Sequence, residues 1–121
     1  MDWTATMLAA AGVQADPAYP LDGVDLQNVF KNPAWQRPGD LTWRMKHREQ
    51  RALVRAGQKY LRVDRIDYLF DLNADARERA NLAKRYPEKL ALLRSAWESW
   101  NAALPPIAPE AKKSSKPSPF T

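Results

Sequence analysis

The chain contains no cysteine. That excludes a disulfide framework, a thiolate zinc site and a cysteine nucleophile. It leaves the compartment open, because many exported proteins also lack cysteine. Histidine is almost absent, His47 being the only one. No apolar run approaches the roughly 18–20 residues a membrane-spanning helix needs, so no transmembrane segment is expected, and no membrane partner is assigned. Met1-Asp2-Trp3 lacks a basic leader and Met7 to Val13 is a short apolar stretch, so no signal peptide is expected either. No internal repeat is apparent.

What is present fits one small folded domain. The length is 121 residues, with 45% apolar and 27% charged side chains, so a hydrophobic core is within reach. Five Trp and three Phe supply large side chains to bury. The formal charge of +5 favours acidic partners, whether nucleic acid, anionic lipid or a sulfated polysaccharide, although a basic surface with no specific partner is the simpler reading.

Trp3, Met7, Leu8 and Ala11 recur at helical spacing, and Gly12 supplies a stop, so residues 2–12 read as a helix. An amphipathic helix opening the chain suggests a domain cut through its middle. Pro17, Pro20, Pro33 and Pro38 make residues 14–40 irregular, with Asp25 placed to cap a short helix reaching Phe30. Four strands follow: Leu41 to Lys46, Arg51 to Arg55, Lys59 to Val63 and Asp67 to Leu72. The first, third and fourth alternate with period two, and Ala56-Gly57-Gln58 and Asp64-Arg65-Ile66 supply turns, so an antiparallel meander is expected. Residues 75–84 suggest a short helix, with Arg77, Arg79, Lys84 and Arg85 alternating with Glu78 on a solvated face. The clearest element is residues 87–103: Pro87 suits a first helical position, and Leu90, Leu93, Trp97, Trp100 and Leu104 form one apolar stripe. Trp97 and Trp100 read as core rather than as a sugar-stacking platform. Pro105-Pro106 ends that helix, and residues 107–121, rich in Pro, Lys and Ser, are expected to be a disordered tail. Lys112-Lys113 within it reads as a flexible basic end. The fold class is thus α+β: a small antiparallel sheet of about four strands packed by a long C-terminal helix, preceded by a helix and loop.

Three stretches carry a resemblance. The first is Asp2-Trp3-Thr4-Ala5-Thr6-Met7-Leu8-Ala9-Ala10-Ala11-Gly12, followed by Leu21-Asp22-Gly23-Val24. The second runs from Trp43-Arg44-Met45-Lys46-His47-Arg48 through Gln50-Arg51-Ala52-Leu53-Val54-Arg55 to Lys59-Tyr60-Leu61-Arg62-Val63. The third is Tyr68-Leu69-Phe70-Asp71-Leu72 with Asp75, Glu78 and Asn81-Leu82-Ala83. In this order they resemble the end of a sulfatase (arylsulfatase-like) of the alkaline phosphatase superfamily, over residues 2 to 106. Ala76 stands where the family usually has Pro, and the turn before Lys59 is one residue short and lacks the customary Trp.

The resemblance implies that residues 1–38 are the terminal helix and loop of a larger α/β catalytic domain. Residues 39–106 would be the C-terminal subdomain. The intact parent would hydrolyse sulfate esters, aryl or carbohydrate, with a formylglycine made from Cys or Ser in C/S-x-P-x-R and with calcium. This chain offers neither group. Ser115-Lys116-Pro117 ends in Pro119 where the motif needs Arg. Asp64, Asp67, Asp71 and Asp75 are spaced to cap turns rather than to hold a hard cation. No cofactor is therefore expected in this chain and no catalytic or metal-binding residue is assigned. His47, with Lys46 and Arg48 beside it, is the candidate substrate contact, in the intact parent only, as a donor to a sulfate or sugar hydroxyl. The expected partners are the rest of the catalytic domain and a sulfated substrate, with no specific nucleic acid. Two alternatives stand beside this: a stand-alone polyanion-binding module using the basic strands between Arg44 and Arg62, and an accessory subunit for a separately encoded catalytic domain.

Overall fold

The computed structural model describes residues 1–107. Helix α1 spans Asp2–Ala10 and the short α2 spans Gln27–Lys31. Strands β1 (Leu41–Arg44), β2 (Arg51–Arg55), β3 (Gln58–Val63) and β4 (Ile66–Asp71) follow, and α3 (Pro87–Ala102) closes the described chain. The sheet is antiparallel in the order β1-β2-β3-β4, the meander read from the alternation. Strand ends differ from expectation by one or two residues. β1 stops at Arg44 because Met45 already donates its amide to Gln50, closing the β1–β2 turn.

The register places Thr42, Leu53, Tyr60 and Leu69 in one row across the sheet. Leu53, Tyr60 and Leu69 are completely buried and meet Leu93 and Trp97 of α3, while Leu90, Ala96 and Trp100 pack around them. The Trp stripe is thus core. Trp97 also fixes the helix to the sheet, its indole Nε1 donating to the Trp43 carbonyl at 2.9 Å. Tyr60 is deep enough that burial, with Asp67 beside its hydroxyl, pushes its pKa up to about 12.

Residues 75–84 are turns, not a helix. The Asp75 carboxylate accepts the amides of Arg79 at 2.7 Å and Ala80 at 2.8 Å. A side-chain oxygen so placed takes a donor that helical bonding would have used. Glu78 adopts a left-handed φ of 54° and both its oxygens accept from Lys59 Nζ. The expected solvated helix face is therefore replaced by an ordered loop tied to β3. Of the expected tail only Ile107 is described; the remainder, with Lys112-Lys113 and Ser115-Lys116-Pro117, lies outside the described residues.

Candidate functional site

Lys46, His47 and Arg48 sit together on the β1–β2 turn, in and just before a single 3-10 turn over His47–Glu49. Arg48 (φ 54°) and Glu49 (φ 49°) both take left-handed backbone, which turns the chain back sharply toward β2. Arg48 is committed: its Nε donates to Asp64 Oδ2 at 2.8 Å, its Nη2 donates to the same oxygen, and its carbonyl accepts the Asp64 amide at 3.1 Å. The pairing raises the Arg48 pKa and holds the Asp64 carboxyl below its ordinary value. Arg65 lies 3.7 Å from Glu49, adding a second link between the β1–β2 and β3–β4 turns. Arg48 thus ties two turns together. His47 is exposed, and its carbonyl accepts the Gln50 amide at 3.2 Å.

The D-x-x-x-T stretch has a structural role. Residues four apart share a helix face, and Asp2 and Thr6 use theirs to receive alternate amides of one loop segment. Val24 donates to Asp2 Oδ1 at 3.0 Å and Leu26 donates to Thr6 Oγ1 at 2.9 Å. Gly23 lies against the Met1 carbonyl, where any Cβ would collide. Arg37 completes the cluster with two bonds to the Asp2 carboxylate, at 2.7 and 3.0 Å. The Arg37 bonds lower the Asp2 carboxyl to a pKa of about 2, with burial opposing them and the Val24 amide adding to them.

A second group lies within the basic strands that the sequence offered as a polyanion-binding surface. Arg44, Arg51 and Arg62 are direct cross-strand neighbours in one row, on the face that α3 covers. Arg44 donates to Asn101 Oδ1 at 2.9 Å and to the Pro105 carbonyl at 2.6 Å. Arg51 stacks over the Trp97 ring, 4.6 Å from its centre. Arg62 Nε is buried without a hydrogen-bond partner, 3.7 Å from Asp67 Oδ1. Only the strand register aligns the three.

Among the described residues no three His, Cys, Asp or Glu side chains cluster as metal ligands. Four of the carboxylates are engaged otherwise: Asp2 by Arg37, Asp40 by Arg55, Asp64 by Arg48, and Asp67 by the Tyr60 hydroxyl. Such a set does not fit calcium, which needs six or more oxygens converging on one point.

No family model matches the chain, and no curated protein matches it. Solved structures do. One is a protein from Bacteroides thetaiotaomicron labelled BT33336S-sulf, from work on the metabolism of multiple glycosaminoglycans, with TM-score 0.68 and 21% identity. The likeness covers 84% of this chain and 24% of that one. A second is Ps i-CgsB in complex with k-i-k-neocarrahexaose, with TM-score 0.67 and 24% identity over 82% of this chain and 23% of that one. A third is BT4656 in complex with its substrate D-glucosamine-2-N,6-O-disulfate, with TM-score 0.59 and 19% identity, covering 84% of this chain and 23% of that one. The fold is therefore of sulfatase type, and the chain spans about a quarter of the length of the structures it resembles.

Proposed function

We propose that this chain forms the C-terminal subdomain of a larger sulfatase that hydrolyses carbohydrate sulfate esters, and that it is inactive by itself. The observation that carries this reading is the sheet face opposite α3. Leu41, Ala52, Val54, Leu61 and Val63 lie there half-buried, and Trp43 and Ile66 are 49% and 56% exposed. Lys59 is the one charged strand residue on that face. An antiparallel sheet facing water alternates polar residues outward; this one presents an apolar surface that requires a covering layer. Trp3 and Met7 of α1, both 62% exposed, extend the same demand.

In this reading the covering layer is the catalytic domain, which supplies the formylglycine and the calcium. Carbohydrate esters are favoured over aryl esters by the ligands in the structures that the fold resembles. His47, on its exposed turn, contributes a hydrogen bond to substrate in the assembled enzyme, with Lys46 beside it. Arg48 serves by fixing the turn, since Asp64 occupies its guanidinium.

The DNA upstream of the Met1 codon tests the proposal. An open frame running back to a C/S-x-P-x-R motif is the expected result, and His47→Ala in that longer protein should then raise KM with little change in kcat. A stop codon immediately upstream, with a lone chain that stays monomeric and binds no hydrophobic dye, would sink it.

A further inference from the structure

The row of arginines borders an open cleft. Arg44, Arg51, Trp97, Asn101 and Ile107 are among the residues lining a cavity of about 560 Å³ between the end of α3 and strands β1 and β2. It adjoins a second hollow of about 420 Å³, reached past Met45 and Gln50, which shares Arg44, Arg51 and Trp97.

Three like charges in direct cross-strand register oppose folding unless something offsets them. Two of the three are offset. Arg44 is held by Asn101 and the Pro105 carbonyl, and Arg62 lies near Asp67. Arg51 differs: among the described residues none accepts a hydrogen bond from its guanidinium, whose Cζ lies 4.6 Å from the centre of the Trp97 ring. This cation–π contact holds the guanidinium beside the ring without using its N–H donors, which are suited to an oxyanion. The acids at the rim are otherwise engaged, Glu98 with Arg94 at 3.7 Å and Glu49 with Arg65 at 3.7 Å.

We propose that this cleft is an anion-binding site in which Arg51, oriented by Trp97 and supported by the field of Arg44, receives an oxyanion group, sulfate or carboxylate, carried on a larger ligand. The proposal stands on the arginine row and the cleft alone and does not require the sulfatase reading. Trp97 is buried, so it orients Arg51 and offers no stacking surface to a sugar ring.

The test is an NMR titration of the full chain, following the Arg51 side-chain Nε–H and the Trp97 indole N–H. Sodium sulfate, sodium acetate and sodium chloride are compared at matched ionic strength. Saturable shifts are expected with sulfate or acetate, half-complete at about 10 mM or below, and the tighter of the two identifies the group. Arg51→Gln should weaken that binding at least about tenfold, and Arg51→Lys should restore part of it. If Arg51→Gln fails to fold, the wild-type comparison still decides. Shifts that are linear and equal for all three salts would overturn the proposal, as would sulfate binding that survives Arg51→Gln in a folded protein.

Discussion

Replacing Arg37 by Gln should move the titration of Asp2 back toward an ordinary carboxylate. Two bonds from Arg37 and one from the Val24 amide hold Asp2 at about 2 instead of 3.8. At about 1.36 kcal/mol per pH unit, that difference corresponds to roughly 2 kcal/mol favouring the docked state of α1. The carboxylate lies at a rim and is 18% exposed, so solvent screening reduces the figure to about 1 kcal/mol. The sign follows from linkage. The folded pKa is depressed, so the stabilisation is complete above the unfolded value near 3.8 and is lost as pH falls toward 2. The Val24 amide proton, bonded to the titrating oxygen, reports it directly by NMR. The wild-type midpoint should lie near 2, and Arg37→Gln should raise it by at least about one unit. Thr6→Val serves as a control: it removes the acceptor for Leu26 and should leave the midpoint in place. A wild-type midpoint at 3.8, or one that ignores Arg37→Gln, would refute the reasoning.

Three further outcomes are expected. Leu53→Ala, at the centre of the buried row, should cost about 2–5 kcal/mol in urea unfolding followed by Trp fluorescence; a cost below about 1 kcal/mol would mean the core lies elsewhere. Gly57→Ala should cost about 1–2 kcal/mol, since φ is +77° and the new Cβ would meet the Asn73 side chain. Adding Asn73→Ala should recover only the steric part of that loss. Trp43→Thr should change stability by no more than about 0.5 kcal/mol, because the side chain is half exposed, yet hydrophobic-dye binding and self-association should fall. Unchanged dye binding would remove Trp43 from the sticky face.

The strands and α3 were legible because their signals are local. Alternation with period two survives any tertiary arrangement, and so does the stripe from Leu90 to Leu104. The failure at residues 75–84 has an equally local cause that spacing does not display: the Asp75 carboxylate competes for the amides of Arg79 and Ala80. Lys46, expected at the end of a strand, instead lies with His47 and Arg48 on the β1–β2 turn. Its chemistry was not legible, because the partner that occupies Arg48 is Asp64, sixteen residues away on another turn.

The sequence by itself determined the order of elements, the periodicities and the absence of any thiol. It left two matters to the tertiary structure. One is which side of the sheet is sealed. Both faces carry large apolar residues, and only the docking of α3 onto Leu53, Tyr60 and Leu69 leaves Trp43 and Ile66 uncovered. The other is the alignment of Arg44, Arg51 and Arg62. These residues are seven and eleven positions apart along the chain and become neighbours only through strand register, because cross-strand distance depends on pairing and not on sequence separation.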